Sequence, residues 1–302
     1  MNPKTNQAFT KIPSDFTSQH IRCSGELYLP DDIQNPPIVI MAHGFAAERT
    51  FGLPAYADHF ASHGLAVYLF DYRCFGGSDG EPRNYVDPRR HIQDWQAAID
   101  HIRSLSNINK SKIALWGSSF SGGHVIVSAA KDPEIAAIIA QVPFVDAIST
   151  TFKLGFKFLM QATPHAIRDL ARMITFRSPH YVKVIGHPDE FAIMNTPESY
   201  PGYSAIVPKD STWENKCPAR IILKFALYRP IAFAHKVTCP ALLMLEEKDS
   251  LISAAAVEKT ARKMANSTLV KYPFGHFDIY TGEGFSDAIK KQTDFLITHL
   301  TP

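Results

Sequence analysis

Short apolar runs rich in β-formers alternate along this chain with longer segments of helical period, and this alternation restricts the fold most. Pro37–Ala42 (PIVIMA), Leu65–Asp71 (LAVYLFD), Lys112–Trp116 (KIALW) and Ile135–Val142 read as strands. Between them, Phe51–His63 reads as a helix ending at Gly64. Pro88–Leu105 places Ile92, Trp95, Ile99 and Ile102 at helical spacing, and Ser119–Ala130 reads as a third helix. Strands that are apolar on both faces belong in a parallel sheet covered by helices on both sides. The predicted class is therefore α/β, with a mostly parallel central sheet flanked by helices. Ile21–Leu29 is expected to begin the sheet as an antiparallel strand.

The rhythm breaks from Phe144 to about Lys236, where prolines and aromatics crowd a helical or irregular pattern. It resumes with strand Pro240–Leu245 (PALLML), helix Ala254–Ala265, strand Thr268–Tyr272 and an amphipathic helix from about Phe285 to His299. Residues 1–143 and 237–302 are thus expected to form one core, with 144–236 as a mainly helical cap inserted before the last two core strands. The length of 302 residues suits this arrangement.

Composition narrows the function. Hydrophobic residues make up 45% and the formal charge is +2, so the chain has material for a core and no global field for gripping nucleic acid. The segment Met1–Lys11 is polar, and no run of about 18 apolar residues follows. The expectation is a soluble, cytoplasmic protein without membrane insertion. Cys23, Cys74, Cys217 and Cys239 show no CxxC spacing, so they are expected to be reduced and to hold no metal. No ligand constellation suggests a cofactor, and Phe75–Gly80 (FGGSDG) lacks the Lys and spacing of a phosphate loop.

The chemistry concentrates in Trp116–Gly123 (WGSSFSGG), directly between a strand and a helix. In a G-x-S-x-G turn the middle Ser is held on a tight strand-to-helix bend, its hydroxyl exposed at a helix N-terminus. Ser119 is the expected nucleophile. Ser121 stands where the second Gly is usual and is the chemical rival, placed inside the helix. A serine hydroxyl needs a base. Among thirteen histidines, His276 follows the last strand in PFGHFD, where Gly275 is expected to turn the loop sharply. His43 is assigned a structural or oxyanion-loop role, and His124 lies on the helix after Ser119. The base needs an orienting carboxylate. Asp249 follows strand PALLML, at the strand ends where α/β sheets carry chemistry; Asp146 is the alternative. The backbone N–H groups of Phe120 and Phe45 are the expected oxyanion donors.

With these residues in place, the chain resembles an α/β-hydrolase. The matching segments are MAHGF, FDYRCFGGSDG, WGSSFSGG, the Asp249 loop and PFGHFDIY, spanning Pro37 to Leu300. They look most like the branch of prolyl-dipeptidyl-peptidase-like and serine-aminopeptidase-like hydrolases and bacterial esterases. Cys74 stands where Gly is commonest. The order Ser119, Asp249, His276 is that of the α/β-hydrolase triad. The resemblance implies fold, triad and lid but no substrate. A carboxylic ester or thioester with a mostly apolar acyl part is expected, as a small-molecule substrate. A peptidase or aminoacyl-amide hydrolase, an acyltransferase and a non-catalytic binding protein remain as alternatives. A homodimer is compatible with this fold, and nothing in the sequence demands one.

Within the insertion, Phe152, Phe156, Phe158, Leu159, Met160, Phe191, Met194, Tyr200, Tyr203 and Trp213 are expected mainly to pack the cap's own core, with some lining an acyl pocket. Lys153, Lys157, Arg168, Arg172 and Arg177 read as a solvated helix face.

Overall fold

The computed structural model describes residues 7–225 and 227–301, so Met1–Asn6 of the polar N-terminal segment lies outside the described residues. Five strands carry the apolar runs and are buried along their whole length: β5 (Ile38–Ala42), β6 (Ala66–Phe70), β7 (Ile113–Ser118), β8 (Ala137–Gln141) and β12 (Ala241–Glu246). Ahead of them come β1 (Phe9–Pro13), β2 (Phe16–Ser18), β3 (Ile21–Cys23) and β4 (Gly25–Pro30). With β13 (Ser267–Tyr272) they form an eight-stranded sheet in the order β1-β4-β6-β5-β7-β8-β12-β13. The pairs β1–β4 and β4–β6 are antiparallel, and every later pair is parallel.

The predicted strand Ile21–Leu29 is two strands. At Ser24 the backbone bonds the loop after β6 instead of a neighbouring strand: its carbonyl accepts from Asp71 N–H at 2.9 Å and its N–H donates to Ser78 Oγ at 2.8 Å. β3 therefore pairs with β2 in a small hairpin, and only β4 enters the sheet. The sheet opens with β1, an edge strand whose exposed residues gave no apolar pattern.

Helices α1 (Leu53–Ser62) and α8 (Gly282–Leu300) pack on one face of the sheet, with α2 (Pro88–Ser104), α3 (Phe120–Ala129) and α7 (Ala254–Lys263) on the other. Local sequence sets their starts. Asp87 accepts the Arg89 N–H at 3.0 Å ahead of Pro88, whose fixed φ suits a first helical turn. The chain runs from β5 to β6 on one side, then back to β7 on the other. This reversal opens a crevice at the carboxyl ends of β5 and β7, the usual ligand position in such sheets.

Between β8 and β12 the chain forms α4 (Ala147–Ile174), β9 (Tyr181–Ile185), β10 (Ala192–Met194), α5 (Ser199–Ile206), β11 (Cys217–Pro218) and α6 (Ile221–Phe225). The segment is mainly helical, as expected, but it also holds short strands. β9 pairs parallel with β10 and antiparallel with β11, making a three-stranded sheet whose short members carry too little pattern to read. Asp169 of α4 ties this segment together. Fully buried, it accepts from Arg220 Nε at 2.7 Å and from the His180 N–H at 2.7 Å. The expected packing role fails for Phe152, Phe156 and Met160, which are exposed on α4. Among the described residues no helix is long and apolar enough to cross a membrane.

Candidate active site

Three loops at the carboxyl edge of the sheet bring Ser119, His276 and Asp249 together. Ser119 sits between β7 and α3 at φ 56°, a left-handed conformation costly for a non-glycine residue and found where function holds it. Its N–H donates to Gln141 O at 2.8 Å and its carbonyl accepts from Phe144 N–H at 2.8 Å, so both sides of the bend are tied to the chain leaving β8. Ser119 Oγ lies 3.1 Å from His276 Nε2, and His276 Nδ1 lies 2.5 Å from Asp249 Oδ2. A carboxylate only accepts, so Nδ1 carries the proton and Nε2 is left to receive the serine's. Asp249 Oδ1 accepts from the Leu251 and Ile252 N–H groups at 2.7 and 2.8 Å, which fixes the carboxylate plane. Burial favours the neutral form of His276. The charge and hydrogen bond of Asp249, joined by Glu198 and Glu246, outweigh it and leave its pKa raised.

The rival residues are occupied elsewhere. Ser121 is fully buried and hydrogen-bonded to Tyr72 Oη at 2.8 Å, a network that also takes Trp95 Nε1. Ser rather than Gly at this position thus serves the core behind the bend. Asp146 pairs with Arg229 at 2.6 Å and accepts from Ser149, away from His276. Burial pushes His124 down to about 3; it bonds Tyr228 Oη at 2.5 Å and His91 at 3.2 Å. His43, pushed down to about 4 by burial, donates from Nδ1 to Gly44 O at 3.1 Å and braces the loop after β5.

That loop packs against the serine. A Cβ on Gly44 would lie 3.1 Å from Ser119 Cβ, so any larger residue would press on the serine's bend. Phe45 and Phe120 both line the cleft beside Ser119, their rings 5.5 Å apart. The loop is held from above by two side chains of the inserted segment. Tyr203 Oη donates to Phe45 O at 3.0 Å, and Trp213 Nε1 donates to Ala46 O at 2.8 Å.

Sequence reasoning missed Glu198 and Lys153, by which the inserted segment grips the acid and base loops. Glu198 accepts from Ser250 N–H at 2.6 Å, from Ser250 Oγ, and from the His276 N–H at 2.8 Å. Lys153, expected on a solvated face, donates to the carbonyls of Asp249 and Ile252. The role expected of Gly275 also changes. A Cβ there would lie 2.5 Å from Glu198 Oε2, and its φ is not left-handed, so the glycine makes room for Glu198 rather than turning the loop. Cys74, by contrast, does adopt φ 73°, which accounts for glycine being usual at that position. All four cysteines are free.

Two clefts meet at Ser119. The larger, about 850 Å³ with its open mouth included, is walled by Phe45 and Phe120 from the core and by Phe144, Leu154, Phe158, Met194 and Phe225 from the inserted segment. Among the described residues no charged side chain lines it. The smaller, about 360 Å³, runs past His276, Tyr203 and Phe277.

An eight-stranded, mostly parallel sheet with a serine on the β7–α3 bend defines an α/β-hydrolase, and the chain is an enzyme of that fold. Residues 34–277 match the family described as serine aminopeptidase, S33, and the chain belongs to it. It is 35% identical over 281 residues to the quorum-quenching protein AidA of Acinetobacter baumannii, covering 93% of this chain and 92% of that one. It is 37% identical over 145 residues to the thiohydrolase aneE of Aspergillus aculeatus, 48% of this chain and 45% of the relative. The solved structure of DcsB in complex with its substrate analogue superposes with a TM-score of 0.83 at 24% identity, over 98% of this chain and 100% of that one, a likeness of fold.

Proposed function

We propose that the chain is a serine hydrolase that cleaves a carboxylic ester or thioester through an acyl-enzyme. Ser119 attacks the carbonyl carbon while His276 takes its proton. Asp249 orients the imidazole and stabilises its charged form. The N–H groups of Phe45 and Phe120 hold the oxyanion. His276 then protonates the leaving group, and water activated by the same imidazole releases the acyl chain. Residues 144–236 act as a cap over the core formed by 1–143 and 237–302.

The observation that carries this reading is the hydrogen-bonded run Ser119–His276–Asp249 opening onto an uncharged, apolar cleft. An aminopeptidase has to recognise a free ammonium group, and a cleft without a carboxylate offers it no partner. A thioester or ester with an apolar acyl chain fits the lining, and the name thiohydrolase borne by one relative agrees. The larger cleft takes the acyl part, and the smaller one, beside His276, takes the leaving group or an acceptor. That second compartment also favours acyl transfer to a bound alcohol or amine as the alternative outcome of the same acyl-enzyme.

A panel of esters, thioesters and aminoacyl amides, run with a fluorophosphonate probe and a Ser119→Ala control, tests the assignment. Hydrolysis of medium-chain esters or thioesters, and labelling abolished by Ser119→Ala, are expected. Labelling that persists at Ser121 overturns it.

A further inference from the structure

The outer face of α4 takes no part in the proposed reaction. Phe152 and Phe156 are 83% and 75% exposed, and Phe176, just past the helix end, is 99% exposed. Ile148, Met160, Ile167 and Ile174 continue the same exposure. Gly155, at φ 79° and ψ 172°, breaks α4; in the run after it the positions 156, 160, 167 and 174 fall at steps of four or seven, along one side of the helix, while Ile148 and Phe152 are exposed on the turn before the break. An exposed apolar row of this size is costly in water unless something covers it.

The charges beside it are of one sign. Lys157 and Arg168 each follow a position of that row by one residue, about 100° around the helix. Arg177 follows the exposed Phe176 just past the helix end. From Ala147 to Ser178 the one acidic residue is Asp169, which is buried and paired with Arg220. Among the described residues no carboxylate pairs with Lys157, Arg168 or Arg177. The side away from solvent differs in kind: Leu154 and Phe158 of this helix wall the large cleft.

We propose that this face of α4 docks on an anionic lipid surface. An apolar ridge flanked by cations is the form that lies in the headgroup layer, its phenylalanines among the acyl chains and its cations against phosphate. The occupant is favoured by charge. A second copy would bring an identical basic row to the same ridge with no acidic row to meet it. Docking there places the helix that walls the cleft at the boundary of the phase in which long-chain acyl compounds dissolve.

The test is co-sedimentation of the full chain with vesicles of phosphatidylcholine alone and of equal parts phosphatidylcholine and phosphatidylglycerol. The protein is expected to pellet with the anionic vesicles and to leave them as salt rises. Lys157→Ala and Arg168→Ala are each expected to weaken binding about fivefold. Phe152→Ser with Phe156→Ser is expected to weaken it at least about tenfold. These variants keep hydrolysis of a soluble short-chain ester, and Ser119→Ala keeps vesicle binding, so the docking face and the catalytic assignment fail separately. Binding to neither vesicle, or equally to both, overturns the proposal. So does a dimer in sedimentation velocity that Phe156→Ser dissociates, which would make the occupant a second copy.

Discussion

The sheet core and the inserted segment build the same site by different means. The core supplies Ser119, His276 and Asp249 from loops whose shapes follow directly from the strands beneath them. The segment supplies no member of that hydrogen-bonded run. It contributes most of the cleft wall, plus side chains that reach down to the core's loops, Tyr203, Trp213, Glu198 and Lys153 among them. A simple division would give the core the reaction and the segment the specificity. Glu198 argues against it, because it bonds the backbone of both His276 and Ser250.

The predictions test where that division breaks. The largest effect belongs to the core: Ser119→Ala is expected to lower kcat on the order of 10⁶-fold, measured on a p-nitrophenyl ester. Next comes the segment's claim on the reaction. Glu198→Ala is expected to lower kcat about 10²-fold with little change in KM, since a small displacement of catalytic groups suffices for such a loss. The same variant removes one of the charges that raise the His276 pKa. The acid limb of kcat/KM, which lies above the ordinary histidine value of about 6.5 because activity needs the neutral ring, should then move down towards it. An unchanged profile would return Glu198 to a purely architectural part. Phe158→Ala sharpens the segment's other role: KM for long-chain acyl esters should rise about tenfold while short-chain esters are unaffected.

The smallest effect concerns the core alone. Glu246 is buried at the end of β12 with both carboxylate oxygens unpartnered; burial, with the nearby charge of Asp249, pushes it up to about 7 from 4.5. A carboxyl group raised in this way holds its proton in the folded state longer than in the unfolded one. Stability therefore falls as pH climbs from 4.5 through about 7, and the cost is complete above that. Glu246→Gln should raise the Tm by a few degrees at about pH 8, at roughly 2–4 °C per kcal/mol, with no gain near pH 4. Differential scanning fluorimetry across that range checks the sign.

The same contrast explains what could be read from sequence. Ser119, Asp249 and His276 each follow a strand whose apolar run announces it, so local pattern locates them. Ile21–Leu29 misled because Ser24 is bonded by a loop some fifty residues away. Glu198 and Lys153 were invisible for the same reason on a larger scale. Their partners lie 78 and 96 residues off, and nothing local separates a gripping carboxylate from a solvated one. The aromatics of α4 misled differently: an apolar residue at helical spacing reads as core whether or not another layer covers it.

Glu198 and Lys153 carry opposite charges, leave the inserted segment from two separate elements, and end on the loops that carry Asp249 and His276. A displacement of the segment that widens the cleft also unfastens those loops. The cleft wall and the acid and base loops are thus fastened to one another, so that on the proposed mechanism enclosing a carbonyl compound and holding the base in line become one event.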